Sequence, residues 1–430
     1  MRDTMKEPRK PKMTCGRHFP MAIAILASLL IFCGSIVHAK DLKDVIRGLY
    51  GGNGFQTDPN FAGNRANDFG QEVFNSFNRL TNGIGSQTGQ FAVNSTVAQY
   101  KFDVALGVPI EETKSLGPIF AERSDTIGQG RFNFLVTWSY ADYKKFNGQN
   151  LSSLSEKVPP SPQPGTPPNA PGLDERLLVD LNVQVSTTFV GFFTTYGVTD
   201  NWDVNLLIPL VHNMIKAKAK ATMLDANGVP CTQGGNCSGI YVIDGTYPNS
   251  PNGDPSRDSS SKEKTGLGDI LFRTKYNFLK NHDILPDLGV RGDISFPTGD
   301  KDDFTGIGDF RFGGLVVASK YYSSPIGAIG PHVNAGVNLV DNQSDRNNFF
   351  YISGFDVAPL PTLALSLDVL GRHEFNDRDN SGKDIVDLAP GFKWSPYPNS
   401  LVQAAVQIPV NKNEGLRPDA VWTVGVGGTF

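Results

Sequence analysis

Two stretches of this chain couple closely spaced glycines to a carboxylate: TGLGDILFR at residues 265–273 and TGIGDFRFG at 305–313. Glycines that bare backbone N–H groups can cradle a phosphate. That chemistry also needs a Lys-Ser or Lys-Thr pair and a helix opening behind it, and neither copy has them. A third candidate, DRDNSGKDIVDL at 377–388, begins like a calcium loop with Asp377, Asp379, Ser381 and Gly382. It places Leu388 where a bidentate Glu is required, so a solvated hairpin loop is the plainer reading. His212, His282, His332 and His373 have no Ser or Asp partner at a recognisable spacing, and there is no G-x-S-x-G elbow. These residues point to neither an enzyme nor a bound cofactor.

Cys231 and Cys237, in CTQGGNC, have no His nearby: none lies between His212 and His282. A metal site therefore fails for want of ligands. An isolated even pair in an exported chain suggests a disulfide closing a small loop.

Export is read from the first 39 residues. Arg2, Lys6, Arg9, Lys10, Lys12 and Arg17 precede the apolar run MAIAILASLLIFCGSIVHA, which ends in a Val37-x-Ala39 processing site. This is the build of a cleaved signal peptide. The whole chain carries 39 Lys+Arg against 43 Asp+Glu. Because the leader is basic, the remainder is still more acidic, which disfavours nucleic acid as a partner.

The elements that would position any chemistry alternate with period two. Counting back from Phe430, Gly428, Val426, Val424, Trp422 and Ala420 share one face, while Thr429, Gly427, Gly425, Thr423, Val421 and Asp419 share the other. Phe132, Phe134, Val136, Trp138 and Tyr140 oppose Arg131, Asn133, Thr137 and Ser139. Leu177, Val179, Leu181, Val183 and Val185 oppose Asp180, Asn182, Gln184, Ser186 and Thr188. Trp202, Val204, Leu206, Ile208 and Leu210 oppose Asp203 and Asn205. Strands that face lipid on one side and a lumen on the other read this way. Counted from Arg131, the runs predict an all-β fold: a transmembrane antiparallel β-barrel of about twelve strands. An extra hairpin before residue 129 would raise the count to about fourteen.

The connections alternate as well. Short turns such as VTDN, SSPIGA and APLPT are interleaved with longer or more charged loops at 144–175, 223–263, PTGDKDDFTGIG and NDRDNSGKD. An outer-membrane barrel keeps this rhythm, with short periplasmic turns and long outside loops. The Pro-rich stretch at 158–172 is expected to be an exposed, polyproline-like spacer. Residues 40–128 stand apart: Phe69, Val73, Phe77 and Leu80 form a helical stripe, followed by a strand-like run and a Gly-rich stretch. This segment is expected to be periplasmic or to plug the barrel, with the barrel itself at 129–430.

Strand parity selects the candidate site. Asp269, Arg273, Lys275, Arg291, Asp293, Asp309, Arg311, Asp368 and Arg372 fall on the lumen face. Their signs are mixed, so the wall is expected to carry a transverse field with little net preference. Such charges either tune selectivity or pair with one another to fill a narrow barrel. Lys216, Lys218 and Lys220, in IKAKAKAT, continue the outward face of the strand begun at Trp202. They are expected to reach the lipid head groups and to bind lipopolysaccharide phosphate. The leading function is a channel or transporter for small molecules. The second is a structural or adhesive barrel with a filled interior.

SLGPIFAERSDTIGQGRFNFLVTWSY (115–140), YGVTDNWDVNLLIPLV (196–211) and TGLGDILFRTKY (265–276) resemble the outer-membrane transporters grouped as the MetA-pathway phenol-degradation family. The likeness covers most of 98–430. It implies outer-membrane passage of small compounds, aromatic ones among them, and transfers no binding residues. A final strand ending in Phe430 resembles the signal read by the barrel-assembly machinery of Gram-negative bacteria.

Overall fold

The computed structural model describes residues 41–50, 69–88, 95, 101–103, 108–110, 115–160, 174–231, 256–376 and 382–430. The expected leader, Cys237, most of the Pro-rich spacer and Asp377, Asp379 and Ser381 lie outside the described residues.

Twelve antiparallel strands close into a ring. They are β1 (Phe132–Phe146), β2 (Arg176–Thr199), β3 (Trp202–Leu224), β4 (Ser256–Leu267, continuing after a break as Ile270–Leu279), β5 (Asp287–Phe296), β6 (Arg311–Ser319), β7 (Gly327–Val340), β8 (Asn348–Leu360), β9 (Leu363–Glu374), β10 (Asp384–Trp394), β11 (Ser400–Pro409) and β12 (Leu416–Thr429). Each strand pairs with its chain neighbour, and β12 returns to β1. At the seam the Phe132 N–H donates to the Phe430 carbonyl at 2.9 Å and the Phe430 N–H to the Phe132 carbonyl at 2.7 Å. The expected count of about twelve holds. The short pair Lys101–Asp103 and Val108–Ile110 forms its own two-stranded sheet, so the alternative of fourteen does not.

Outward side chains form an apolar belt edged by aromatics. Trp202, Tyr276 and Trp394 sit near the short-turn end, and Phe296, Phe310 and Phe349 near the long-loop end, all with more than a third of their surface exposed. Amphipathic or large rings at both edges of an apolar band suit a bilayer interface. Among the described residues no helix is long and apolar enough to cross a membrane, which leaves crossing by strands untouched.

The wall is uneven in height. β2 and β3 run 24 and 23 residues, whereas β5 and β6 run 10 and 9. The tall side explains an inversion that strand parity alone did not reveal. In the lower part of β2 Val190, Phe192 and Tyr196 face out, while Phe193 is buried on the inward face. In its upper part Leu177, Val179, Leu181, Val183 and Val185 face inward and are buried. They seat two helices, α1 (Asp44–Arg47) and α2 (Gly70–Thr88). The stripe of Phe69, Val73, Phe77, Leu80 and Ile84 packs there with Leu42, Val45 and Ile46 and with Ile215, Ala217 and Ala219 of β3. An amphipathic helix must bury its apolar face, and this wall supplies the partner.

The loop between β5 and β6 folds over the same cluster. Phe304, at φ +57°, is buried in it, and Asn213 donates to the Phe304 carbonyl at 2.8 Å. Lys43 pairs with Asp302 at 2.7 Å, and Lys264 with Asp303 at 3.0 Å. The helices are thus held from the wall and from above.

Candidate functional site

The two glycine-rich repeats meet in space. Asp269, from the first copy, accepts the Gly299 N–H at 3.0 Å and, from the second copy, the Ile307 N–H at 2.8 Å. A Cβ on Gly306 would collide with the Asp269 carboxylate, so the second copy needs its glycine for this approach. The repetition is a loop-to-loop clasp between β4 and the β5–β6 connection. Asp309, in the second copy, takes a hydrogen bond from the Gln343 side chain.

Residues 115–127 run through the ring and touch the inward faces of strands all around it. Leu116 packs with Leu135, Phe193, Leu207, Leu271, Ala364 and Leu401, and Ile119 and Phe120 pack with Ala389 and Ala405. Polar contacts tie the backbone of this segment to the wall. The Glu122 N–H donates to Asn334 at 2.7 Å, and Asn334 returns a bond to the Glu122 carbonyl at 2.8 Å. Asn277 donates to the Ser124 carbonyl at 2.9 Å, and the Ile127 N–H reaches the Asp203 carboxylate at 3.0 Å. A segment without regular structure can be buried only if its backbone groups find partners, and these strands provide them.

Its charges are matched too. Glu122, 1% exposed, faces Arg291 at 3.1 Å, Lys275 at 3.4 Å and Arg273 at 4.0 Å. Arg123 pairs with Asp356 at 2.6 Å and lies 3.4 Å from the ring centre of Tyr321. Burial pushes the Tyr321 hydroxyl above its usual range, so a neutral ring meets the guanidinium. Asp356 also accepts from Ser115. His332 reaches Asp368 at 2.7 Å, and Asp368 receives the Phe120 N–H at 3.4 Å.

Above this segment the ring encloses a cavity of ≈ 250 Å³ with Phe120 among its lining residues and Gln87, near the end of α2, among the others. The Gln87 side chain accepts the Leu416 N–H at 2.5 Å, fixing the helix end to β12.

The nine lumen residues expected from parity separate by height. Arg273, Arg291, Asp293, Arg311 and Arg372 line the cavity. Lys275 and Asp368 are turned to the threading segment, whereas Asp269 and Asp309 organise loops at the long-loop end. Arg346, Arg417 and Asp387 also line the cavity and were missed. Their inclusion corrects the expectation of little net sign: six arginines and two aspartates share the lining. Arg417 was within reach of parity counted from the last strand, but the register shifts at Pro418 and the count stopped short. Glu122 carried no periodic signal at all.

Lys216, Lys218 and Lys220 are exposed on the outward face of β3, next to Gln184, Asn182 and Asp180 of β2. Cys231 is disulfide-bonded, and Cys237 lies outside the described residues.

A family model described as the MetA-pathway of phenol degradation matches residues 161–408. Three solved structures are similar to this chain. An outer membrane channel from Pseudomonas putida F1 shares 9% identity over 71% of this chain and 98% of its own, with a TM-score of 0.43. The toluene transporter TbuX of Ralstonia pickettii shares 10% over 71% and 90%, with a TM-score of 0.35. A FadL homologue from Pseudomonas aeruginosa shares 11% over 70% and 90%, with a TM-score of 0.29. No curated protein matches.

Proposed function

Because this chain belongs to the family of the MetA-pathway of phenol degradation, whose model spans more than half of it, we propose that it is an outer-membrane channel for small organic molecules. The observation that carries the reading is a closed ring whose lumen holds a cavity and, below it, a constriction made by the chain itself. Solute enters from the long-loop end, rests above Phe120, and passes residues 115–127. Mixed apolar and charged lining suits a molecule with an apolar body and a polar group.

Conductance of the full chain in planar bilayers tests this. Discrete small steps are expected, and Phe120→Gly should enlarge them by opening the floor of the cavity. A folded, membrane-inserted protein that gives no steps in either form would instead be the filled structural barrel.

The same reading includes a contact with lipid. A strand climbs about 3.3 Å per residue before tilt, so Lys216 stands about 30 Å or more above Trp202. At that height the three lysines meet lipopolysaccharide phosphates.

A further inference from the structure

The cavity carries more positive charge than a neutral solute would need. Six guanidinium groups line it, those of Arg273, Arg291, Arg311, Arg346, Arg372 and Arg417, against the carboxylates of Asp293 and Asp387. Four of the six have acidic partners. Arg291 donates to both oxygens of Asp293, at 2.9 and 2.7 Å, and Arg273 lies 3.8 Å from the same carboxylate. Arg372 pairs with Glu374 at 3.3 Å, and Arg417 with Asp387. Arg311 and Arg346 make no ion pair and no side-chain hydrogen bond among the described residues.

A guanidinium drawn out of bulk water without a partner is costly, and a carboxylate meets its planar fork with two parallel bonds. Of the other lining residues, Phe120, Leu315, Phe350, Ile352 and Leu370 are apolar, and the amides of Gln87, Asn334, Asn338, Asn348 and Gln407 are neutral. At ≈ 250 Å³ the space suits one ring with a short polar appendage rather than a long chain. A neutral hydrocarbon would fill the apolar part and leave Arg311, which feels Asp293 and Asp269 only at longer range, and Arg346 without a hydrogen-bonded anion.

Resting on the channel reading, we infer that the cavity is a subsite for an arene carboxylate, its anionic group drawn to Arg311 and Arg346 and its ring held by the apolar wall. The arginines of the upper strands then form a path that descends to Arg291 and Arg273, where Glu122 marks the end of the cationic stretch.

The test is calorimetric titration of the full chain in detergent at neutral pH with benzoate, benzyl alcohol and benzylammonium. Benzoate is expected to bind about tenfold more tightly than benzyl alcohol, the equivalent of one charge-assisted hydrogen bond, and benzylammonium not at all. Arg311→Gln should abolish the preference and Arg311→Lys should retain part of it. Equal binding of benzoate and benzyl alcohol to the unmodified protein would overturn the inference whether or not the variants fold. A benzoate preference untouched by Arg311→Gln would overturn the assignment of the site. The channel reading fails separately, by absence of conductance in both potassium chloride and potassium benzoate.

Discussion

Asp269 and Glu122 do related work at different heights: each is one carboxylate that gathers groups far apart in the chain. Asp269 holds the backbone of Gly299 and Ile307, and Glu122 faces Arg273, Lys275 and Arg291. Truncating Asp269→Ala should cost about 1.5–3 kcal/mol locally, the worth of hydrogen bonds to a charged acceptor. The expected outcome is rapid protease cleavage within residues 297–310 while the strand ring still resists heat. Unchanged cleavage kinetics would show that the clasp is redundant. Glu122→Gln should leave three cations with a weaker partner and move the reversal potential in a potassium chloride gradient toward that of chloride. Residues such as Arg273 and Arg291 were legible because strand parity assigns a face to every second side chain. Glu122 was not, since its partners lie more than 150 positions away and its own segment obeys no period.

At the scale of elements, alternation and loop length were enough to count the strands, because a barrel wall forces period two and its two rims differ in loop length. They were not enough to say which apolar face meets lipid. In β2 that depends on height: Leu177–Val185 turn inward only because α1 and α2 pack on them. The helical stripe was visible in sequence, but its partner was a strand face assigned to the membrane. This packing has a consequence for conduction, since Gln87 at the end of α2 lines the cavity. Phe77, 2% exposed, is central to the stripe. Phe77→Asp should forfeit about 3–5 kcal/mol of packing, as large-to-small changes in a core do, and add the burial of a charge. The helix is then expected to detach from a ring that stays intact. Heat-resistant gel mobility should persist, residues 70–88 should become cleavable, and single-channel conductance should rise. If the conductance stays as it was, α2 does not lid the cavity.

For the whole molecule, the tall side of the wall is what projects Lys216, Lys218 and Lys220 beyond the apolar belt. Replacing all three with Gln should leave stability in plain phospholipid unchanged and reduce the additional stability conferred by lipopolysaccharide, measured as the urea midpoint in vesicles with and without it. An equal gain for both proteins would reduce the lysines to a solvated rim. The seam between β1 and β12 bears on how such a ring comes to exist. Asn133 bonds to Thr429, a partner 296 positions along the chain. Each doubling of a closed loop costs about 0.6 kcal/mol more in chain entropy, so ring closure lags the hairpins by about 3 kcal/mol. Hairpins such as β2–β3 therefore zip early, and the curved sheet waits with both terminal edges unpaired, open to pairing with another copy. Closure is the slow, concentration-vulnerable step of this molecule's assembly, and dilution should favour it over aggregation.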